Sequence, residues 1–410
     1  MDEKKIAEGI TTAILEFVKK ESKGIFEWVR KQEINILPLN FNVVLSIGYE
    51  KNSQSETYYK QLKKEFTNLI NSSPKFEHHL VFKDISSEKL FANKQIAEKF
   101  RREKELDLII WGNFSEDGLR DEGKLSNKIE LNFTFGHPEN EKKEIGEMVK
   151  LDIGSRFYVY NNWKINEETS LKDIELISSN MFDISIYIIA LTYKLWGRLA
   201  ESIELFEEIY KRLQKKNSNI GNQIIPHLIN CYEQFSLYAI FKKQDFKIAT
   251  QLFQKVLILQ PKNFFALVNL AKVKYELGLV EESYSITKQL LEFYPRNPSV
   301  ELDVAFHKIL KKEYKGAFKH YNRLIAVGRE GLDFNPVDVV AFLDKQYQQL
   351  KEPALLYAIG IISHSYLEDD ISKQSLKQFI AQFKEYSCKE MYRNAQKILK
   401  SKMLSSAKKR

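Results

Sequence analysis

The feature that most constrains this chain is a spacing of 34 residues. Pro261 and Pro295 stand 34 apart, each behind an apolar run and each two residues before an asparagine, Asn263 and Asn297. Ala249, Ser283 and Ala317 repeat the interval twice, and Ala271 and Ala305 repeat it once. A period of this length is one helix-turn-helix unit, which cannot bury its apolar face alone and must stack on copies of itself. The small residues mark where two helices approach too closely for a large side chain. Phe253 and Tyr321 follow their small residues by four positions, one turn along the same face, and so fill the gap between neighbouring hairpins. Thr287 holds that slot between them. Ser202 and Phe206 occupy the small and aromatic slots of an earlier unit. Ser202 to Ala249 is 47 residues, 13 more than one period, which predicts a polar insertion around 214–226.

These residues resemble tetratricopeptide repeats, about four of them over roughly 150 residues. The pattern departs in the first helix of the second unit, where Glu233 and Ser236 stand at positions the family makes apolar. Beyond Pro336 the register is lost, and periodicity predicts helices over 337–350, 354–367 and 372–400 that cap the open end of the stack. The resemblance implies a concave face built from the first helix of each pair. Tyr187, Lys194, Tyr238, Phe241, Phe265, Val268, Lys272, Tyr275 and Phe306 would line it. Aromatics interspersed with lysines suit a protein or peptide partner carrying acidic groups. Asn269 and Lys272 lie near positions that some members use to clamp a terminal carboxylate, but the other basic clamp residues are not evident.

The amino-terminal half changes pattern. Runs at 41–47, 79–82 and 107–111 are near-continuous in apolar residues and alternate with helical stretches at 55–70 and 88–104, which predicts a parallel α/β sheet covered on both faces. Segments 128–134 and 147–152 alternate apolar and polar residues and add an antiparallel pair. An amphipathic helix over 3–20 and an apolar segment with Ile25, Phe26, Trp28 and Val29 precede them. The expected fold is therefore α+β and multidomain: amphipathic helices over 1–34, a three-layer α/β domain over 35–165, tetratricopeptide-like repeats over 166–335, and carboxyl-terminal helices with a basic tail over 336–410. Through Asp107-Leu108-Ile109-Ile110-Trp111-Gly112 and the later strand pair, the α/β half resembles the front domain of TolB-like proteins, which implies a recognition role without chemistry.

Ligands of parallel sheets sit beyond the carboxyl ends of the strands, here near Ser46, Gly48, Gly112 and Asn113. No glycine-rich phosphate loop follows either strand, and no cofactor is expected. The seven histidines lack metal-site spacing; His78 and His79 are adjacent, on opposite faces of a strand. Cys231 and Cys388 encode neither a disulfide framework nor a zinc site and read as small hydrophobes. The acids Glu116-Asp117 and Asp121-Glu122 flank glycines and read as a solvated loop. The formal charge of +8 arises from 63 basic and 55 acidic side chains that mostly alternate, except for Lys397, Lys400, Lys402, Lys408, Lys409 and Arg410 at the carboxyl end. The most apolar run, 184–191, falls short of the roughly 20 residues that cross a bilayer, so a soluble, cytoplasmic protein is expected.

The first reading is a non-catalytic scaffold or sensor whose repeat groove captures a protein, set by association in a bacterial regulatory or defence complex. The alternative is a divergent enzyme or a nucleic-acid-binding protein with its site in the α/β half, or a contact through lysine-rich helices such as 99–104 and the basic tail.

Overall fold

The computed structural model describes residues 41–135 (without 52, 74–79, 88 and 122–123), 162–165 and 170–407 (without 196, 216–219 and 368). The anticipated helix over 3–20, the apolar segment around Trp28, His78, His79, Glu122 and the strand over 147–152 lie outside these residues. The described chain divides into two compact units, one up to Phe235 and one from Ser236 onward.

The first unit is built on a five-stranded sheet. β1 (Phe41–Gly48), α1 (Gln54–Asn71), β2 (Leu80–Asp84), α2 (Lys94–Glu103), β3 (Leu108–Asp121), β4 (Lys124–Phe135) and β5 (Asn162–Ile165) follow in chain order. The sheet order is β2-β1-β3-β4-β5, parallel across the first three strands and antiparallel thereafter. β1 alternates its side chains between two buried faces, which is why it reads as a continuous apolar run. Val44, Ile109 and Trp111 meet Phe91 and Ala97 under α2. On the other face Phe66 of α1 packs on Phe82. There it also meets Phe182 of α3 (Ser170–Leu195). Asp107 pins the register, accepting from the Asn42 amide at 2.7 Å and returning its own amide to the Asn42 carbonyl. The buried Trp111 indole donates to Thr134 across the β3–β4 pair at 2.8 Å.

Three sequence expectations change here. β3 does not stop at Gly112 but continues to Asp121 as one arm of a long hairpin, so Glu116, Asp117 and Asp121 lie on a strand rather than in a loop. Gly112 is not a turn residue: a Cβ there would stand 1.7 Å from the Glu130 carbonyl oxygen, so its lack of a side chain is what lets β4 approach. Helix α2 begins at Lys94, not near 88, because Asn93 caps it by accepting from the Ile96 amide.

The repeats run as α3 with α4 (Leu199–Lys215), α5 (Ile220–Tyr238) with α6 (Phe246–Leu259), α7 (Phe264–Glu276) with α8 (Val280–Phe293), and α9 (Pro298–Leu310) with α10 (Tyr314–Ile325). α3 and α4 fall in the unit that holds the sheet, since α3 packs against α1. The supposed polar insertion is taken up by lengthened helices, with Pro226 inside α5.

Ser202, Ala249, Ser283 and Ala317 are each the fourth residue of a second helix, and all four are buried. Five residues before each stands a residue with left-handed backbone: Gly197, Gln244, Gly278 and Lys312, with φ between 53° and 76°. The two serines explain their own choice. Ser202 donates to the Ala190 carbonyl and Ser283 to the Ala271 carbonyl, each 12 residues back and each at 2.8 Å. The helices are close enough for a hydroxyl to bond the backbone of the facing helix, and too close for a larger group.

The second unit departs in a way that accounts for Glu233 and Ser236. In the other three hairpins the first helix closes with an amide-to-carbonyl bond spanning five residues: Arg198 to Tyr193, Leu279 to Lys274, Glu313 to Lys308. In the second, Asp245 bonds Ala239, six residues back, across a π-helical turn over Ala239–Lys243. One extra residue shifts everything before it by one place. Ser236, fully buried, thereby becomes the small residue of that helix, and Glu233 moves off the apolar stripe. Lys312 and Gln244 hold a conformation that costs an L-residue about 1–2 kcal/mol. Lys312→Gly and Gln244→Gly are each expected to raise the unfolding free energy by about 0.5–1 kcal/mol, part of that gain being offset by the freer unfolded chain, as read by urea denaturation.

The stack is closed by α11 (Pro336–Leu350), α12 (Pro353–Tyr366), α13 (Asp369–Gln382) and α14 (Lys389–Ala407). α12 is buried on all sides over Ala354–Ser363. The expected single helix over 372–400 is instead α13 and α14, separated by a 3-10 turn at Glu385–Ser387. The break lets Phe379, Phe383, Cys388, Met391 and Ala395 all reach one core against Tyr357, which a straight helix could not do.

Candidate functional site

In the unit from Ser236 onward, the first helices α7, α9 and α11 present the face on which the sequence placed most of its candidates. Much of that face is filled by its own side chains. Tyr275 of α7 stands edge-to-face on Phe306 of α9, with ring centroids 5.4 Å apart, and Phe306 stands likewise on Phe342 of α11 at 5.3 Å. The Tyr275 hydroxyl donates to Gln346 Oε1 at 2.6 Å, tying α7 to α11 across α9. Burial pushes that hydroxyl up to about 12. Val268 belongs to the core with Leu267, Leu290, Val300 and Val304. Tyr275, Phe306 and Val268 are therefore packing residues, a correction to the groove assignment.

Phe265 and Lys272 remain on the open part of α7. Phe265 rests edge-to-face on Phe253 and keeps part of its surface in solvent, while Lys272 is exposed. Asn269, between them, turns its side chain back to the Phe265 carbonyl at 2.8 Å, which removes the amide from the clamp position suggested for it. Tyr238 and Phe241 are partly buried at the π-turn, with the Lys243 ammonium 5.9 Å from the Tyr238 ring centroid. One residue missed in the sequence is Asp303, 34 residues after Asn269 and so in the equivalent place on α9. Burial raises its carboxyl to about 6, with Lys272 pulling it down and Asp333 pushing it up. Asp333 itself accepts from Asn297 and from both the amide and the hydroxyl of Ser299.

In the unit up to Phe235, Tyr187 is fully buried between Phe206 and His227, its hydroxyl 3.0 Å from His227 Nε2, and so lines no groove. Lys194 is partly buried, near enough to Cys231 to act on its thiol, although burial dominates and pushes that thiol up. Cys388 is buried too. Neither cysteine is an activated nucleophile.

The crevice at the strand ends is occupied by the chain itself. Gly48 and Asn113 are register partners, and the segment after β2 folds over them. Ile85 donates its amide to the Leu45 carbonyl, Ser86 Oγ accepts from the Ile47 amide at 2.8 Å, and Ser46 donates to the Lys89 carbonyl at 2.5 Å. Among the described residues, no group of three histidine, cysteine, aspartate or glutamate side chains is placed to hold a metal. The stretch Ile174–Lys194 is long and apolar enough to cross a membrane, longer than the eight-residue run read from sequence, and most of it is buried inside the fold.

No family model matches this chain. Among curated proteins it is similar to the tetratricopeptide repeat-containing protein trd-1 of Caenorhabditis elegans, 23% identical over 145 residues. That match covers 35% of this chain and only 18% of the relative's length. It agrees with the recurring small slot, left-handed turn and aromatic slot, which set the type of the array. The helices form a tetratricopeptide-like solenoid. Solved structures similar to it include MamA, at 19% identity and a TM-score of 0.23 over 42% of this chain and 94% of that one. Another is Pseudomonas aeruginosa PilF, at 13% and 0.29 over 57% and 98%. At those scores the superpositions carry no argument, and the assignment rests on the internal repeat of this solenoid.

Proposed function

We propose that this chain is a non-catalytic scaffold whose tetratricopeptide-like solenoid captures a segment of another protein. The single observation that carries the reading is the open strip of α7, where Phe265 and Lys272 stay accessible beside a face otherwise closed by Tyr275, Phe306 and Phe342. An aromatic edge followed two turns later by an ammonium suits a short helical or extended segment that places an apolar side chain on Phe265 and an acidic one near Lys272. Kinship of the sheet with the front domain of TolB-like proteins, and a setting in a regulatory or defence complex, belong to the same proposal and give the amino-terminal half a recognition role.

The test is capture from native extract by the whole chain, followed by affinity measurement with the recovered protein. Lys272→Glu is expected to weaken that affinity about tenfold, the loss of about 1.4 kcal/mol from one reversed rim charge. Recovery of no stoichiometric protein, or an affinity indifferent to Lys272→Glu and Phe265→Ala together, overturns the reading.

A further inference from the structure

The strongest unassigned feature lies on the last helix of the cap and on α10 beside it. Along α14, Lys389, Arg393, Lys397 and Lys400 are all exposed and recur at intervals of four, four and three residues. They form one stripe of about 16 Å on a helix rising about 1.5 Å per residue. The opposite side of α14, with Met391 and Ala395, is packed into the core. Lys315, Lys319 and Arg323 make a second exposed row at intervals of four along α10, which shares that core. The two rows are linked at one end, where Lys315 lies 3.9 Å from Glu390. Among the described residues, three acids meet the rows: Glu301, buried beneath α10, stands 3.5 Å from Arg323, while Glu390 and Glu385, 3.8 Å from Arg393, are exposed and loosely held, so the α14 stripe itself has only exposed acids beside it. Immediately before the α14 stripe stands Tyr386, 75% exposed, with the Lys384 ammonium 5.7 Å from its ring centroid.

We propose that this face binds single-stranded nucleic acid, its phosphates following the α14 stripe and one base stacking on Tyr386. A polyanion with one charge per unit matches a row of cations repeated every helical turn. An accessible aromatic ring at the end of such a row is the second element that single-strand binding uses, because every base has a face to stack. An anionic membrane fits less well, since the apolar side of α14 is committed to the core and leaves nothing to insert. An acidic protein would use the lysines but has no need of Tyr386.

The experiment is fluorescence anisotropy of the full chain with a labelled 20-nucleotide oligothymidylate, titrated over salt. Binding is expected at low salt. The double reversal Arg393→Glu with Lys397→Glu should weaken it at least tenfold and flatten the dependence of log Kd on log salt by about 1.4, roughly 0.7 for each phosphate contact removed. Tyr386→Ala should weaken it about fivefold or more, the lower end of what one stacked base contributes. All three positions are solvent-facing, so the melting temperature should not move. Absence of binding at low salt overturns the proposal. So does competition by polyglutamate equal to that by the oligonucleotide with Tyr386→Ala silent, which would assign the face to an acidic protein.

Discussion

Tyr275→Ala is expected to lower the unfolding free energy by about 3 kcal/mol, a loss that a rim contact of a binding groove would not produce. The truncation removes a ring that stands edge-to-face on Phe306 and leaves Gln346, itself buried, without the hydroxyl it accepts from. Neither gap can close easily, because Phe306 is held from the other side by Phe342. Tyr275→Phe separates the two contributions: it keeps the ring and forfeits only the hydrogen bond, so about 1 kcal/mol should be lost. Urea denaturation of the three proteins reads both numbers. A Tyr275→Ala chain as stable as the parent, but unable to capture its partner, would restore Tyr275 to the groove and undo the view that α7, α9 and α11 are locked together here.

That contrast also marks what could be read from the residues beforehand. Spacing alone placed Ala249, Ser283 and Ala317 in equivalent positions, because close helix contact admits few residue types and so leaves a periodic trace. Which aromatics of the first helices face outward left no such trace. Phe306 stands 34 residues after Lys272, at the same repeat position, yet one is buried and the other exposed. The difference comes from Phe342 and Gln346 on α11, a helix in which the period is already lost. In the second unit, Glu233 and Ser236 registered as a conflict, and the cause was a single added residue in a π-turn that hydrophobic periodicity cannot resolve. The parallel strands were legible from their apolar runs. The length of β3 was not, since Glu116, Asp117 and Asp121 look like loop until β4 is seen to pair with them.

His307 provides the second large effect, one that concerns pH. It is buried on α9 with Nε2 3.1 Å from Ser283 Oγ. Ser283 already gives its proton to the Ala271 carbonyl, so its oxygen accepts and Nε2 carries the hydrogen. Nδ1 is buried with no hydrogen-bond partner among the described residues, which suits a bare nitrogen and not an N–H. Burial, with help from Lys311 and against Glu281, holds this imidazole down at about 4. An unfolded histidine titrates near ~6.5, so between these values the unfolded chain binds the extra proton, and stability present above pH ~6.5 is lost as pH falls toward 4, by up to about 3 kcal/mol. Asp303 acts in the opposite sense. Its carboxyl is raised to about 6, so the native state holds the proton more firmly and gains stability as pH falls through 6. Asp303 is only partly buried, which makes its limb the smaller. The parent profile is thus a partial cancellation, and each single variant exposes the other limb. Asp303→Asn should lose stability more steeply than the parent between pH 7 and 4.5, while His307→Gln should lose less or gain. Parallel melting profiles for the parent and His307→Gln across that window would mean that His307 is protonated without penalty, and that α9 tolerates an N–H where none can be satisfied.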